Sequence, residues 1–190
     1  FVIGALAVCG LPALNGFVSE FLIYLSLFDT LKSDKGSAFA AAALAAPILA
    51  MIGALAVACF VKLFGAVFLG TPRSEHSRHA HESGLSMIGP MSVLAACCFA
   101  IGLAPTLVAP VLANAVSVWA PELGDVESRL MVLAPLDWIS VMAIVLVSAL
   151  AATSLLLWTR LRGSVVEKNS TWGCGFVAPT PRIQYTSSSF

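Results

Sequence analysis

Charged residues are scarce in this chain. Of its 190 residues, 11% are Asp, Glu, Lys or Arg, against roughly 25% in an average soluble domain. The 10 basic and 10 acidic residues cancel to a formal net charge of zero, so the chain lacks the basic surface on which nucleic-acid binding depends. The composition therefore excludes an ordinary soluble domain and a nucleic-acid partner.

Signatures of catalysis and of bound cofactors are also lacking. The chain has no Gly-x-Gly-x-x-Gly motif, no Walker loop and no nucleophile elbow, and its cysteine spacings fit no iron–sulfur site. Most cysteines lie in apolar stretches, where a thiol packs as a small hydrophobic residue. We expect no catalytic residue and no cofactor in the chain itself. It begins at Phe1 without the basic segment of a signal peptide, and we expect a fragment of a longer protein.

Long apolar runs are abundant. Hydrophobic residues make up 59% of the chain, and a membrane-spanning helix needs about 20 of them in succession. We predict an all-α, polytopic membrane helix bundle of about four spans over residues 1–162, followed by a polar cytoplasmic tail over 163–190. The four apolar blocks are residues 1–28, 38–69, 85–119 and 138–158. The third is long enough to tilt, to kink at Pro105 and Pro110, or to lay its last turns in the membrane interface.

The loop after the second block contains three histidines. Lys and Arg are more frequent in this loop and the tail than in the connectors on the opposite side, which predicts that loop and tail face the cytoplasm. The spacing of His76, His79 and His81 matches no strong metal signature. We expect a solvated loop without a metal; a proton-collecting surface is the alternative, because histidine titrates near neutral pH.

The first block is interrupted near its middle. Pro12 removes a backbone donor and glycines loosen the helix, which predicts a helix break formed by Pro12, Asn15 and Gly16. Unwound backbone at membrane depth is tolerated only where it is buried in protein or lines a cavity, and broken helices recur at transporter ion sites. An ordinary proline kink is the alternative.

Glu20 is the only charged side chain in the first block. It precedes Asp29 by nine residues, which at 1.5 Å per residue places it roughly 13 Å from the surface, near the bilayer middle. A carboxyl group there faces protein or water and marks a proton or ion path. Asn15 and Ser19 are placed to hydrogen-bond water beside it, and Tyr24 shares its helix face. In the alternative interpretation, a protonated Glu20 only packs helices.

Lys62 is a second charge inside an apolar block. It lies eight residues before Gly70, or roughly 12 Å of helix. It is therefore either a partner in a proton relay or a side chain that extends to the interface.

Two segments are similar to a known family. The sequence GLPALNGFVSEFLIY, over 10–24, resembles the antiporter-like, proton-conducting membrane subunits shared by respiratory complex I, membrane-bound hydrogenases and Mrp-type sodium/proton antiporters. The resemblance implies a discontinuous helix that presents one ionisable residue, here Glu20, to a hydrated path across the membrane. The sequence TWGCGFVAPTPRIQYTSSSF, over 171–190, resembles the hydrogenase-4 and formate hydrogenlyase branch.

This resemblance implies a function and its partners. The chain would be the C-terminal part of a non-catalytic, multi-pass subunit of the inner (plasma) membrane, in a redox-driven proton-translocating oxidoreductase complex. Its partners would be the lipid bilayer, other membrane subunits and peripheral redox subunits. The family's other relay residues lie in earlier helices that this chain lacks. A sodium/proton antiporter subunit is the alternative, and a purely structural anchor is the third interpretation.

Overall fold

The computed structural model describes residues 1–33, 35–69, 75, 79 and 81–163. All regular structure in these residues is helical, which confirms the all-α prediction. The helices are α1 Val2–Val8, α2 Asn15–Ser33, α3 Ser37–Phe68, α4 Leu85–Leu103, α5 Ala109–Trp119, α6 Val126–Leu133 and α7 Leu136–Leu161. Predictions for His76 and for the tail over 164–190 fall outside the described residues.

Three of the described helices, α3, α4 and α7, are long and apolar enough to cross a membrane. Large apolar side chains cover their outer faces; Val61, Leu94 and Leu150, for example, are 67%, 66% and 59% exposed. Contiguous apolar surface of this kind requires lipid or a protein partner, as expected of a polytopic membrane bundle. The first apolar block is not one continuous span, because it is divided between α1 and α2.

Prolines have different effects in different helices. Pro47 lies inside α3 and Pro90 inside α4, and neither ends its helix. Pro105 does: α4 ends before it, and a single 3₁₀ turn, Pro105–Leu107, leads into α5. Pro110 lies in the first turn of α5, where a missing N–H group costs little. The third apolar block is therefore divided at Pro105, one of the two positions where a kink was predicted, and Pro110 does not interrupt α5.

The buried core fixes α2 against the second half of the chain. It joins Val18 of α2 to Ala109 at the start of α5 and to Ile139 of α7. Ala109 is fully buried, so the start of α5 lies within this core. The other buried members are Ala134 and Leu136, and the partly buried residues around them are Phe17, Phe21, Leu22, Leu25 and Leu130.

The connector over 121–137 contains a short helix, α6, that the sequence analysis did not predict. Asp125 caps its N-terminus: the backbone N–H of Ser128 donates to Oδ1 at 3.2 Å, and the Ser128 hydroxyl donates to Oδ2 at 2.5 Å. The hydroxyl bond first, and the backbone bond next, lower the pKa of the Asp125 carboxyl. An aspartate cap supplies partners for backbone donors that a helix end otherwise leaves unpaired.

This cap should make the local stability of α6 depend on pH. Because the folded-state pKa is lowered, the stabilisation is present above the ordinary pKa of aspartate and is lost as the pH falls through the lowered value. At neutral pH, we expect Asp125→Ala to raise amide hydrogen exchange over 126–133. Wild-type exchange over these residues should rise when the pH is lowered, and this rise should be absent in Asp125→Ala. Exchange is measured in the assembled complex and corrected for intrinsic rates. Glu122→Ala, in the same connector, is the control and should leave exchange unchanged; wild-type protection in Asp125→Ala would refute this role for the cap.

Candidate functional site

A helix break separates α1 from α2. Helix α1 ends at Val8 and α2 begins at Asn15, so Pro12 lies in the break while Asn15 and Gly16 form the first turn of α2. The end of α1 closes with a backbone hydrogen bond from the Gly10 N–H group to the Ala7 carbonyl oxygen, at 3.2 Å. The predicted interruption is therefore present, and it is a change of direction between two helices.

Glycines allow backbones to meet closely at the break. A Cβ atom at Gly16 would overlap the carbonyl oxygen of Ala7 and lie 3.0 Å from its carbonyl carbon. A Cβ atom at Gly102 of α4 would overlap the peptide that joins Ala13 to Leu14. Helix α2 thus packs on α1, and α4 packs on the break, with no side chain between the main chains at either glycine.

The break lies beside α3 and α7. Leu11 lines a groove of about 330 Å³ whose α3 members extend from Val57 to the end of that helix. Pro12 lines a second groove, of about 360 Å³, whose α7 members extend from Trp138 to Leu146. Apolar side chains of two helices that are long enough to cross a membrane therefore flank the break.

The Glu20 side chain folds back onto the break. A Cβ atom built on Gly10 would lie 2.7 Å from Oε2, 2.9 Å from Cδ and 2.9 Å from Oε1 of Glu20. The carboxyl group therefore lies over the bare Cα of Gly10. Gly16 is one helical turn before Glu20, on the same face of α2, and its own Cβ position is 3.5 Å from the Gly10 Cα. Gly10, Gly16 and Glu20 thus form one contact between α2 and the break.

The other predicted polar residues lie near the break with different partners. The Ser19 hydroxyl donates to the carbonyl oxygen of Gly16 at 2.9 Å, and the Tyr24 ring stacks on Phe28 with 6.1 Å between centroids. The side-chain oxygen Oδ1 of Asn15 is buried and has no hydrogen-bond donor. Because buried acceptors in proteins are almost always paired, this oxygen calls for a water molecule or another donor at the break.

Lys62 lies in α3, immediately after Val61, and is partly buried. It is six residues from the end of α3, or roughly 9 Å along the helix. A lysine side chain can extend over most of that distance. Its role in a relay therefore stays a prediction, as does its extension to the interface.

The described histidines lie in a polar loop. The Nε2 atom of His79 is 3.8 Å from Oε1 of Glu75, and both side chains are more than 70% exposed. Nδ1 of His81 lies 3.2 Å from the carbonyl oxygen of Glu82. Within the described residues, no group of three or more His, Cys, Asp or Glu side chains could hold a metal ion.

Two glycines at this site were missed by the sequence analysis as site residues. Gly10 has φ +64°, in the left-handed region that glycine occupies without strain, and its position two residues before Pro12 was the available signal for such a turn. Gly102 carried no comparable signal, because it lies in an unbroken apolar run. Its close packing is with Ala13 and Leu14, which are far away in the chain.

Comparison with known proteins gives the family. No family model matches the chain. It is 35% identical to hydrogenase-4 component B of Escherichia coli over 184 residues, covering 92% of the chain and 27% of that protein. It is 39% identical to formate hydrogenlyase subunit 3 of Escherichia coli over 115 residues, covering 60% of the chain and 19% of that protein. The chain is homologous to one region of these antiporter-like membrane subunits.

The family resemblance predicted from residues 10–24 is thereby confirmed. A further relative, an uncharacterized protein of Mycobacterium tuberculosis, is 33% identical over 197 residues, covering 100% of the chain and 31% of that protein. The chain spans less than a third of the length of each of these relatives.

Proposed function

We propose that this chain is part of a multi-pass membrane subunit of a redox-driven proton-translocating complex of the hydrogenase-4 or formate hydrogenlyase type. It conducts protons across the inner (plasma) membrane through a hydrated path at Glu20. The observation that carries the proposal is the Glu20 carboxyl group over Gly10, at a helix break flanked by apolar side chains of α3 and α7. The similarity to the two hydrogenase subunits supports the type of complex.

The chemistry of the break suits proton transfer through water. An ionisable group inside a membrane protein marks an ion or proton path, because an isolated charge in lipid is costly. Among residues 1–33, 35–69 and 81–163, the Glu20 carboxyl group has no hydrogen bond or ion pair, and the buried Asn15 oxygen has no donor. Water in the break would supply hydrogen bonds to both groups. Glu20 would take a proton from water on one side and release it to water on the other.

Other subunits would supply the energy and the redox chemistry. Moving one proton against 100 mV costs about 2.3 kcal/mol, and electron transfer in peripheral redox partners would provide it. Residues 1–162 would form the membrane bundle, with Lys62 as a second candidate in the relay, and residues 163–190 a polar cytoplasmic tail. This chain would supply no cofactor.

A sodium/proton antiporter subunit is the second candidate function. The unpaired Asn15 oxygen favours it, because transporters coordinate sodium with oxygen atoms at the ends of broken helices. In that case Glu20 would bind a cation alternately with a proton. Uptake of radioactive sodium by the assembled complex would support the antiporter, and proton uptake that is independent of sodium would oppose it.

The test is substrate-driven proton uptake into inverted membrane vesicles that carry the full-length subunit in its complex. We expect Glu20→Gln to reduce uptake to the level of vesicles without substrate, because the amide cannot bind and release a proton. Electron transfer should be slowed or uncoupled. Variants are compared at equal amounts of assembled complex.

Glu122→Gln is the matched control. Glu122 lies in the exposed connector after α5, so the same chemical change there should leave proton uptake unchanged. Wild-type uptake in Glu20→Gln would contradict the proposed path and favour the structural anchor.

A further inference from the structure

We infer that Gly10 is a positioning residue for Glu20: its missing side chain leaves the space in which the carboxyl group is held. We call this space the carboxyl seat, formed by the bare Cα of Gly10 against α2 at Gly16. The inference rests on the proposed function for its effect on transport. The geometry of the seat is independent of that function.

The contact at the seat involves the mobile end of a side chain. The three atoms nearest to a Cβ at Gly10 are all in the Glu20 carboxyl group, at 2.7 to 2.9 Å. A methyl group at this position must therefore displace the carboxyl group, and rotation of the Glu20 side chain is enough to do so. At Gly16 and Gly102, in contrast, the Cβ atom would meet backbone. Gly10→Ala should accordingly move the ionisable group while the helices stay in place.

Alanine at position 10 adds backbone strain as well as the methyl contact. Gly10 has φ +64°, a left-handed conformation that is disfavoured for any residue with a Cβ atom. Ala13, three residues later, has φ +71°, so the break already contains one alanine in this conformation. A shorter acid at position 20 separates the two effects, because it relieves the contact and leaves the strain.

A displaced carboxyl group should be a poor relay. Proton transfer needs donor and acceptor within about 2.6 to 3.2 Å of each other, or one connecting water. Misplacement of a reacting group by about 1 Å can lower a rate on the order of 100-fold. The seat would thus hold the Glu20 carboxyl group in contact with the water of the break. Loss of the seat would reduce proton transfer although the ionisable group is still present.

The test uses Gly10→Ala in the full-length subunit, within the assembled complex. We expect the initial rate of substrate-driven proton uptake to fall about tenfold or more, and its pH profile to shift because the carboxyl group has new surroundings. Two controls separate the contact from other effects of the added methyl group. Gly124 has φ +67° and open space around its Cβ position, and Gly4 of α1 also has open space. Gly124→Ala and Gly4→Ala should pump like wild type.

Rescue by a shorter acid identifies the contact itself. In Glu20→Asp the side chain is one methylene shorter, so its carboxyl group should clear the methyl group of Gly10→Ala. The double variant should pump faster than Gly10→Ala alone, although Glu20→Asp by itself should not pump faster than wild type; residues in contact give this kind of non-additive result. If Gly10→Ala assembles poorly, the double variant should restore the assembled amount for the same reason.

The possible results separate this inference from the proposed function. Loss of uptake in Glu20→Gln, together with wild-type uptake and pH profile in Gly10→Ala, would overturn the carboxyl seat and leave the proton path standing. The seat would also be overturned if Glu20→Asp restored neither uptake nor assembly in the Gly10→Ala background. Wild-type uptake in Glu20→Gln would instead overturn the proposed function, whatever Gly10→Ala did.

Discussion

Gly16→Ala is expected to prevent the subunit from accumulating in its complex. The added Cβ would overlap the carbonyl oxygen of Ala7, and neither group can rotate away because both belong to helix backbone. Overpacking costs about 1 to 3 kcal/mol where side chains can adjust. A contact between two backbones should reach at least the upper end, and about 3 kcal/mol corresponds to a roughly 100-fold change in an equilibrium.

The amount of assembled complex in the membrane, measured against an unrelated membrane protein, tests this expectation. Gly53→Ala is the matched control, because Gly53 lies inside α3 and a Cβ there meets nothing within 4 Å. Exchange of a mid-helix glycine for alanine normally stabilises by about 0.5 to 1 kcal/mol, so the control should accumulate at least as well as wild type. Equal accumulation of the two variants would show that α1 and α2 do not cross at Gly16.

Variants at three neighbouring positions should therefore fail in three different ways. Gly16→Ala should prevent the subunit from accumulating, because α1 and α2 no longer fit together. Gly10→Ala should keep the protein and lose most of the coupling, because the carboxyl group has moved. Glu20→Gln should keep the protein and the position of the side chain but lose the exchangeable proton. The three variants thus distinguish the packing of the break, the position of the carboxyl group and its exchange of a proton.

The sequence was sufficient to predict the helix break and to single out Glu20 as a candidate, because each depends on local chemistry. Pro12 cannot continue the hydrogen bonding of a helix, and one carboxyl group in a long apolar run is costly unless it has a function or a partner. The fourth apolar block was also placed closely, with 138–158 predicted and Leu136–Leu161 found. Charged residues in the sequence mark both of its ends.

Other features depended on contacts that a single sequence does not show. Pro47, Pro90 and Pro105 lie in similar apolar surroundings, yet only Pro105 ends a helix, since a membrane helix tolerates proline wherever its neighbours satisfy the freed backbone groups. The small helix α6 was missed because it is only eight residues long and depends on the cap at Asp125. The carboxyl seat was missed because the importance of Gly10 lies in the side chain that occupies its empty space.

Gly102→Ala should show that α4 holds the break in place. A Cβ at Gly102 would overlap the peptide between Ala13 and Leu14, so the break or α4 must shift. We expect a loss of stability of about 3 kcal/mol, seen as reduced assembly and a lower thermal midpoint. The fraction that does assemble should also pump less per electron, because the displaced peptide lies close in the chain to Gly10.

Gly89→Ala provides the matched control within the same helix. A Cβ at Gly89 meets nothing within 4 Å, so this variant should assemble and pump like wild type although it adds the same methyl group to the same apolar segment. If Gly102→Ala assembled and pumped as well as Gly89→Ala, α4 would have no part in positioning the break. If Gly102→Ala lost assembly but kept wild-type coupling in the assembled fraction, α4 would stabilise the bundle without acting on Glu20. Loss of both is the outcome expected of a break whose shape, and with it the position of the Glu20 carboxyl group, depends on backbone packing from α4.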